Sequence, residues 1–389
     1  MTDHLSPDEL PEIPEELLQL RRDIDEIDHQ VLDLLARRKQ KVGGVATIKK
    51  RHALKVRDRT RESEILDDRR VRCSRLGLPT QMVESLYRLL LTESRDHQAA
   101  LGTELPADLP ARKIAVIGGH GAMGSLFVDL FRELGNEVIV SDLETKITPT
   151  EAARESDAVL VSVPIRSTLE VIRSVGPACR RDALLLDVTS TKMDPLRVMC
   201  EASDCNVIGT HPMFGPGVNT LQEQRIVVVP GRIHEGSDWE HWLRTCIRAR
   251  GLTIIDATAE EHDRSMSIVQ VLTHFSTEVL GLAMARLAVP VEETLKFASP
   301  VYLIELLMTA RHFFQSGELY GSIHMANPNR KAIVDAFNES INSWRQAVAD
   351  EDQAEFSALF DECNAFFGTF GERAMEQSGH LIDRLVERG

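Results

Sequence analysis

The sequence predicts a multidomain chain of three parts: an all-α module, an α/β domain of the Rossmann type with a doubly wound sheet, and an all-α C-terminal domain. Three observations predict it. Apolar residues near the N-terminus recur every three or four positions over a long basic stretch. From Arg112 the pattern changes to short apolar runs alternating with helical segments. From about Ala259 the strand-like runs vanish and long helical patterns take over. The boundaries read as 1–101, a linker over 102–111, then 112–258 and 259–389.

In the first part, Leu17, Leu20, Ile24, Ile27, Val31 and Leu34 mark one face of a helix from about Pro14 to about Arg51. At 1.5 Å per residue it is roughly 55 Å long. A module of under a hundred residues cannot bury so long a stripe alone, which predicts a homodimer. Gly43-Gly44 is a local weakness in this helix, costing on the order of 1 kcal/mol per Gly. A second helix runs from near Asp58 to about Leu76, where Gly77 and Pro79 stop it, and a third covers about Thr80 to Ala100. The linker follows, with two prolines and no periodicity. Beyond it, KIAVIG, EVIVSD, DAVLVSVP, ALLLDVTS, NVIGTHP and RIVVVP read as strands of a parallel sheet, and Ser265 to Leu287 as a core or dimer-interface helix.

Composition narrows the function. The chain shows no apolar run expected to span a membrane and no signal peptide, which predicts a cytoplasmic protein. The six cysteines are scattered without metal-ligand spacing, so reduced thiols and no metal are expected. A formal charge of −15 argues against nucleic acid as partner of the whole chain. Yet eleven Lys/Arg and one acid, Asp58, fall between Arg37 and Arg61. Such a cluster in an acidic protein suggests a defined anionic ligand.

The second part opens with Gly119-x-Gly121-x-x-Gly124 between an apolar run and a helix, the context that gives this motif meaning. Gly119, Gly121, Ala122, Met123 and Gly124 bring backbone close to a pyrophosphate at a helix N-terminus. Asp142, eighteen residues after Gly124, ends the next strand, where its carboxylate can accept from ribose hydroxyls. No Arg follows at once to meet a 2′-phosphate, so NAD is the expected cofactor rather than NADP.

Two further strand ends carry Asp187-Val-Thr-Ser-Thr-Lys192 and Gly209-Thr-His-Pro-Met-Phe-Gly-Pro216. A histidine so placed, His211, suits a general base for an alcohol being oxidised, with Ser190 orienting it or the substrate hydroxyl. His-Pro-Met-Phe-Gly-Pro, with Ser-Val-Pro at 162–164 and Ser-Pro-Val-Tyr at 299–302, resembles the prephenate dehydrogenase of the bifunctional chorismate mutase type, over essentially residues 17–375. The resemblance implies that His211 takes the ring-hydroxyl proton and that Ser190 assists. It also implies that His274 belongs to the site and that Arg311, twelve residues after Ser299, binds a substrate carboxylate. The chain departs from the family at Thr273 and Leu303, where relatives carry Arg.

The basic module allows a geometric test. Arg38 and Lys49 lie three turns apart on one face, and Arg21 stands about a quarter-turn off it, placed to reach a partner's site. Asp58, Arg61 and Glu62 share a face of the second helix; Ser94 and Gln98 share one of the third. Polar residues converging from three helices suggest a small anion inside a bundle. These eight are similar, at the same spacing, to the site of the all-helical chorismate mutases. The resemblance implies that Arg38 and the partner's Arg21 bind two carboxylates and that Lys49 and Gln98 face the ether oxygen. Glu62 and Asp58 then lie toward the ring hydroxyl, and Ser94 supports a carboxylate. Arg61 completes the substrate-binding set.

The reading is therefore an enzyme of tyrosine biosynthesis with substrates chorismate and prephenate, cofactor NAD, and tyrosine as a possible feedback inhibitor. The rivals are an arogenate-preferring dehydrogenase, a dehydrogenase with an inert helical dimerisation module, and a nucleic-acid-binding helical module.

Overall fold

The computed structural model describes residues 14–52, 56–101, 109–218 and 220–386. The expected linker lies outside them except for 109–111. The chain divides into two compact units.

The smaller unit is built on three helices, α1 (Glu15–Arg51), α2 (Arg59–Leu76) and α3 (Thr80–Ala100). Helix α1 runs through Gly43 and Gly44 without a break. Helix α2 begins where the Asp58 side chain accepts from the Arg61 backbone N–H and ends where Gly77 takes a left-handed φ of 69°. Glu84 ties α2 to α3: Arg70 donates to both of its oxygens, at 2.9 and 3.0 Å, and Arg88 donates to one. The Arg70 hydrogen bond holds the Glu84 carboxyl below the usual carboxylate range. The apolar stripe of α1 stays open to solvent in the single chain, with Leu20, Ile24 and Ile27 each more than half exposed. At about 1.5–3 kcal/mol per fully buried aliphatic side chain, covering it is a large driving force for pairing.

The larger unit carries the sheet. Its strands and crossing helices are β1 (Lys113–Ile117), α4 (Ala122–Glu133), β2 (Glu137–Ser141), α5 (Pro149–Arg154), β3 (Ala158–Val161), α6 (Ile165–Val175), β4 (Leu184–Asp187), α7 (Met193–Ala202), β5 (Asn206–Pro212), β6 (Arg225–Pro230), α8 (Trp239–Ala249) and β7 (Thr253–Asp256), of which 245–253 is grouped with the smaller unit. The strand order is β2-β1-β3-β4-β5-β6-β7. Strands β1 to β5 are parallel, but β6 runs antiparallel to β5. The expectation that RIVVVP continues a parallel sheet is thus corrected. No helix intervenes between Pro212 and Arg225, and a parallel return needs a crossover. Alternate residues Ala115, Ile117, Val159, Val161, Leu185 and Val207 pack on α5, α6 and α7. Their neighbours Ile114, Val116, Leu184, Leu186 and Ile208 are also fully buried, so both faces are covered. The chain order reverses between β1 and β3, and ligands bind outside the strand ends at such a point.

The C-terminal helices belong to the same unit: α9 (Ala259–Met266), a π-helical turn (Ser267–Leu272), α10 (Thr273–Leu287), α11 (Val291–Leu295), α12 (Pro300–Phe313), α13 (Gly317–Ala326), α14 (Arg330–Ala349), α15 (Gln353–Phe367) and α16 (Phe370–Val386). One correction concerns Ala259–Leu287: by length and composition this helical run is apolar enough to cross a membrane, contrary to expectation. Its start nevertheless carries buried His262 and Asp263, bonded to the sheet domain. α10 itself has no buried residue in the single chain.

Candidate active sites

In the helical unit, Arg38 reaches across from α1 to α3 and donates to Ser94 Oγ at 2.6 Å and to the Leu90 carbonyl at 3.2 Å. Ser94 and Gln98 are buried one turn apart on α3. Gln98 donates to the Ser94 carbonyl at 3.0 Å, while its own Oε1 is buried without a partner. Lys49 Nζ donates to the Val56 carbonyl at 2.5 Å. The Glu62 carboxylate lies between two guanidiniums, Arg57 at 3.2 Å and Arg95 at 2.8 Å. Arg57 and Arg95 escaped the sequence reading: each reads as one more surface charge until the fold closes on Glu62. The structure thus gathers Arg38, Ser94 and Gln98, and shows Lys49 and Glu62 engaged with their own neighbours.

The remaining three residues stand apart. Asp58 is exposed and serves as the cap of α2. Arg61 is exposed and pairs with Glu64 at 3.0 Å. Arg21 is exposed on α1.

In the sheet domain, Gly119 and Gly124 have no room for a side chain. A Cβ on Gly124 would lie 2.1 Å from the Gly118 carbonyl oxygen, and one on Gly119 2.8 Å from Val140 Cγ1. This tight loop leads into α4, which has Gly121 at its N-cap, no side-chain cap and no acid in its first turn, so its amides face outward unclaimed. Ala122 and Met123 form that first turn. Asp142 directly follows β2 and accepts from the His120 N–H at 2.9 Å. This cradle suits the pyrophosphate and ribose of a dinucleotide.

His211 lies near the end of β5 and is buried. Its Nδ1 lies 2.8 Å from His262 Nε2, and His262 Nδ1 lies 2.7 Å from Asp263 Oδ1. Asp263 also accepts the backbone N–H of Lys192 at 2.7 Å and of Met193 at 3.0 Å. An acceptor-only carboxylate so placed fixes the protons along the row. His262 must carry its proton on Nδ1, its Nε2 must accept, and His211 must carry its proton on Nδ1. The lone pair of His211 therefore sits on Nε2, 3.5 Å from the side-chain amide of Gln270 in the π-helical turn. Burial, then His262 and Lys192, push His211 well below the usual imidazole range, so it is neutral at pH 7. Beneath it, the fully buried Lys192 donates to Asp187 at 2.5 Å and to the Thr210 carbonyl at 2.7 Å. Gly209 makes room for that ammonium stem, since a Cβ there would be 3.1 Å from Lys192 Cδ.

Ser190, half-buried in the turn after β4, is not a hydrogen-bond partner of His211; His262 holds the orienting place expected of it. A signal for His262 existed: a Thr258–Glu261 capping box, found in the structure, opens a helix at a His-Asp pair. His274 is half-buried on α10, edge-on to Tyr320 with ring centroids 4.8 Å apart, and its Nδ1 is buried without a partner. Burial, with His312 and His324 nearby, lowers its pKa to about 4. Arg311 is exposed on α12, its charge acting on the Tyr320 hydroxyl.

Comparison with known proteins adds three family matches: chorismate mutase type II over residues 20–99, the prephenate dehydrogenase nucleotide-binding domain over 133–239, and the prephenate dehydrogenase dimerization domain over 258–362. The glycine loop precedes the second match. The T-protein of Haemophilus influenzae is 31% identical over 371 residues, covering 95% of this chain and 97% of that protein. The T-protein of Enterobacter agglomerans is 32% identical, with coverage of 94% and 97%. In fold, the chain is similar to a crystal structure of prephenate dehydrogenase from Aquifex aeolicus in complex with hydroxyphenyl propionate and NAD+. That match has a TM-score of 0.52 and 17% identity, covering 66% of this chain and 98% of the other.

Proposed function

The chain belongs to the T-protein family, bifunctional chorismate mutase and NAD-dependent prephenate dehydrogenase of tyrosine biosynthesis, and on that premise we propose how its residues divide the work. The division at 101, 112 and 258 is retained as the functional partition. The first helices rearrange chorismate to prephenate. Arg38 binds one carboxylate with Ser94 supporting it, and Arg21 of a second copy binds the other. Lys49 and Gln98 are set toward the breaking ether bond, and Glu62, held by Arg57 and Arg95, faces the ring hydroxyl. The reaction is pericyclic, so the site needs positioned charge rather than a proton acceptor. Asp58 and Arg61 shape the entrance by capping and charging the start of α2.

At the second site the observation that carries the reading is the row of contacts from Asp263 through His262 to His211, from which a neutral imidazole with its lone pair on Nε2 follows. That atom accepts the ring-hydroxyl proton of prephenate. His262, itself held by Asp263, keeps the His211 ring oriented through Nδ1 while Nε2 takes up that proton. Gly119, Gly121, Ala122, Met123, Gly124 and Asp142 hold NAD, which when bound takes up the hydride from the ring carbon. Arg311 binds a substrate carboxylate, His274 offers a neutral imidazole, and Ser190 contacts the substrate hydroxyl. Loss of carbon dioxide and aromatisation yield 4-hydroxyphenylpyruvate.

The dimerization-domain match and the open stripe of α1 support a homodimer. The same pairing accounts for the apolar run at 259–287, and the protein is read as cytoplasmic, with tyrosine as feedback inhibitor. The test is NADH formation with NAD, using chorismate in one cuvette and prephenate in the other. NADH from both supports the two sites. NADH from prephenate alone removes the mutase assignment, and NADH from neither removes prephenate as substrate.

A further inference from the structure

Val218–Gln224, in the connection between β5 and β6, groups with the three opening helices in one compact unit, together with Thr245–Thr253. Two of its side chains meet those helices. The Thr220 hydroxyl donates to Asp96 Oδ1 on α3 at 3.0 Å. The Glu223 carboxylate accepts from Arg57 Nη1, on the residue just before the Asp58 cap of α2. The segment is also tied from behind. The Gln222 side-chain amide donates to the Arg250 carbonyl at 3.0 Å, and the Glu223 N–H donates to the Gly251 carbonyl at 2.8 Å. Glu223 itself holds a left-handed φ of 63°. A residue with a side chain keeps that conformation only where its surroundings impose it.

Arg57 is thus gripped from two sides. Its Nε donates to Glu62 Oε2 at 3.2 Å while its Nη1 donates to Glu223. The other Glu62 oxygen, Oε1, takes Arg95 Nη1 at 2.8 Å. Each oxygen of Glu62 is therefore fixed by one guanidinium, and the row Arg95–Glu62–Arg57–Glu223 balances two positive charges with two negative ones. Burial works against the Arg57 charge, but Glu223, ahead of Glu62, outweighs it and raises the Arg57 pKa. We propose that Glu223 is a positioning residue for the rearrangement of chorismate. It anchors Arg57, so that Arg57 and Arg95 present the Glu62 carboxylate in one orientation, with its remaining lone pairs free for the ring hydroxyl. Its part rests on Glu62 facing that hydroxyl, as read above. The mutase site then depends on a residue twelve places after His211, far outside the three helices that bear its other groups.

The experiment is a double-mutant cycle in the full-length protein, with Glu223→Gln, Glu62→Ala and the two combined, read as steady-state chorismate turnover. Glu223→Gln keeps the shape of the side chain and removes its charge. In that variant kcat/KM for chorismate is expected to fall by about tenfold. Most of the loss should be a rise in KM, because the hydroxyl is held before and during the rearrangement alike. In the Glu62→Ala background the same change is expected to cost nothing further, since the carboxylate it orients is gone. Prephenate oxidation at the wild-type rate shows that the variants are folded. If Glu62→Ala slows chorismate turnover but Glu223→Gln does not, the proposal is overturned and the reading of Glu62 stands. Losses that multiply in the double variant put the action of Glu223 somewhere other than Glu62 and overturn it as well. A parallel fall of both activities in Glu223→Gln makes the residue structural. If Glu62→Ala turns over chorismate like the wild type, the reading of Glu62 falls and the proposal falls with it.

Discussion

The helical unit and the sheet domain hold their reactive groups in opposite ways. Between α1 and α3 one guanidinium, Arg38, reaches the buried neutral Ser94, with Gln98 one turn on. Gln98 Oε1 is left without a partner, and Arg21 stands on an exposed face far from completion. In the sheet domain the central group is a buried neutral imidazole whose every neighbour along one direction is assigned. The difference follows the chemistry each has to do. A rearrangement without proton transfer needs fixed charge at the right distances, and that charge can stand ready in water. Oxidation of an alcohol needs a base with a defined lone pair, and a defined lone pair needs a buried and satisfied row behind it.

The largest expected effect breaks the comparison at the base. His211→Asn should lower NADH formation from prephenate by about 10²–10⁴-fold, while chorismate loss stays nearly intact, measured on one preparation. Parallel loss of both would mean that His211 supports the whole chain. Next is Arg38→Ala, which removes the donor to Ser94 and the proposed carboxylate ligand. Mutase turnover should fall by a hundredfold or more, about 3 kcal/mol of lost stabilisation, with prephenate oxidation unchanged. Survival of chorismate turnover would remove the site from the α1–α3 contact.

A smaller change sharpens the account of the base. His262→Leu leaves the His211 Nδ1–H without its acceptor, costing about 1–3 kcal/mol. The sign in pH follows from the causes of the shift. His211 works as a base when neutral, and its lowered pKa keeps it neutral as pH falls below 6.5. His262 contributes to that lowering, so removing it lets the His211 pKa climb. The acid limb of the kcat/KM profile for prephenate should then begin at higher pH. An unmoved limb with a simple drop in rate would make His262 a packing residue only. The smallest effect separates cap from ligand: Asp58→Ala should cost about 1 kcal/mol of stability through α2, read as a lower melting temperature. A loss of mutase rate exceeding what this destabilisation explains would return Asp58 to the site.

The three opening helices were legible because each has a periodic face and a chemical stop: Asp58 and Gly77 bracket α2, and Thr80 to Ala100 is found as α3. The strands were legible as apolar runs, and the glycine loop because no side chain fits where it turns. Direction was not legible for β6, since a run such as RIVVVP is equally apolar in either sense and only the missing crossover decides. His211 could be picked out by its place after a strand-like run. Its partners could not, because His262 and Asp263 lie more than fifty residues away. Ser190 was the near neighbour in sequence, and His262 was the neighbour in space.

The sequence by itself determined the order of elements, the dinucleotide loop and the residue types available for both chemistries, because these depend on local periodicity, sterics and spacing. Only the tertiary structure decided which nitrogen of His211 is free, which guanidiniums hold Glu62, and that Glu223 meets one of them. Each of these depends on groups far apart in the chain, brought within hydrogen-bonding distance by burial of apolar surface that carries no record of which polar atoms will meet.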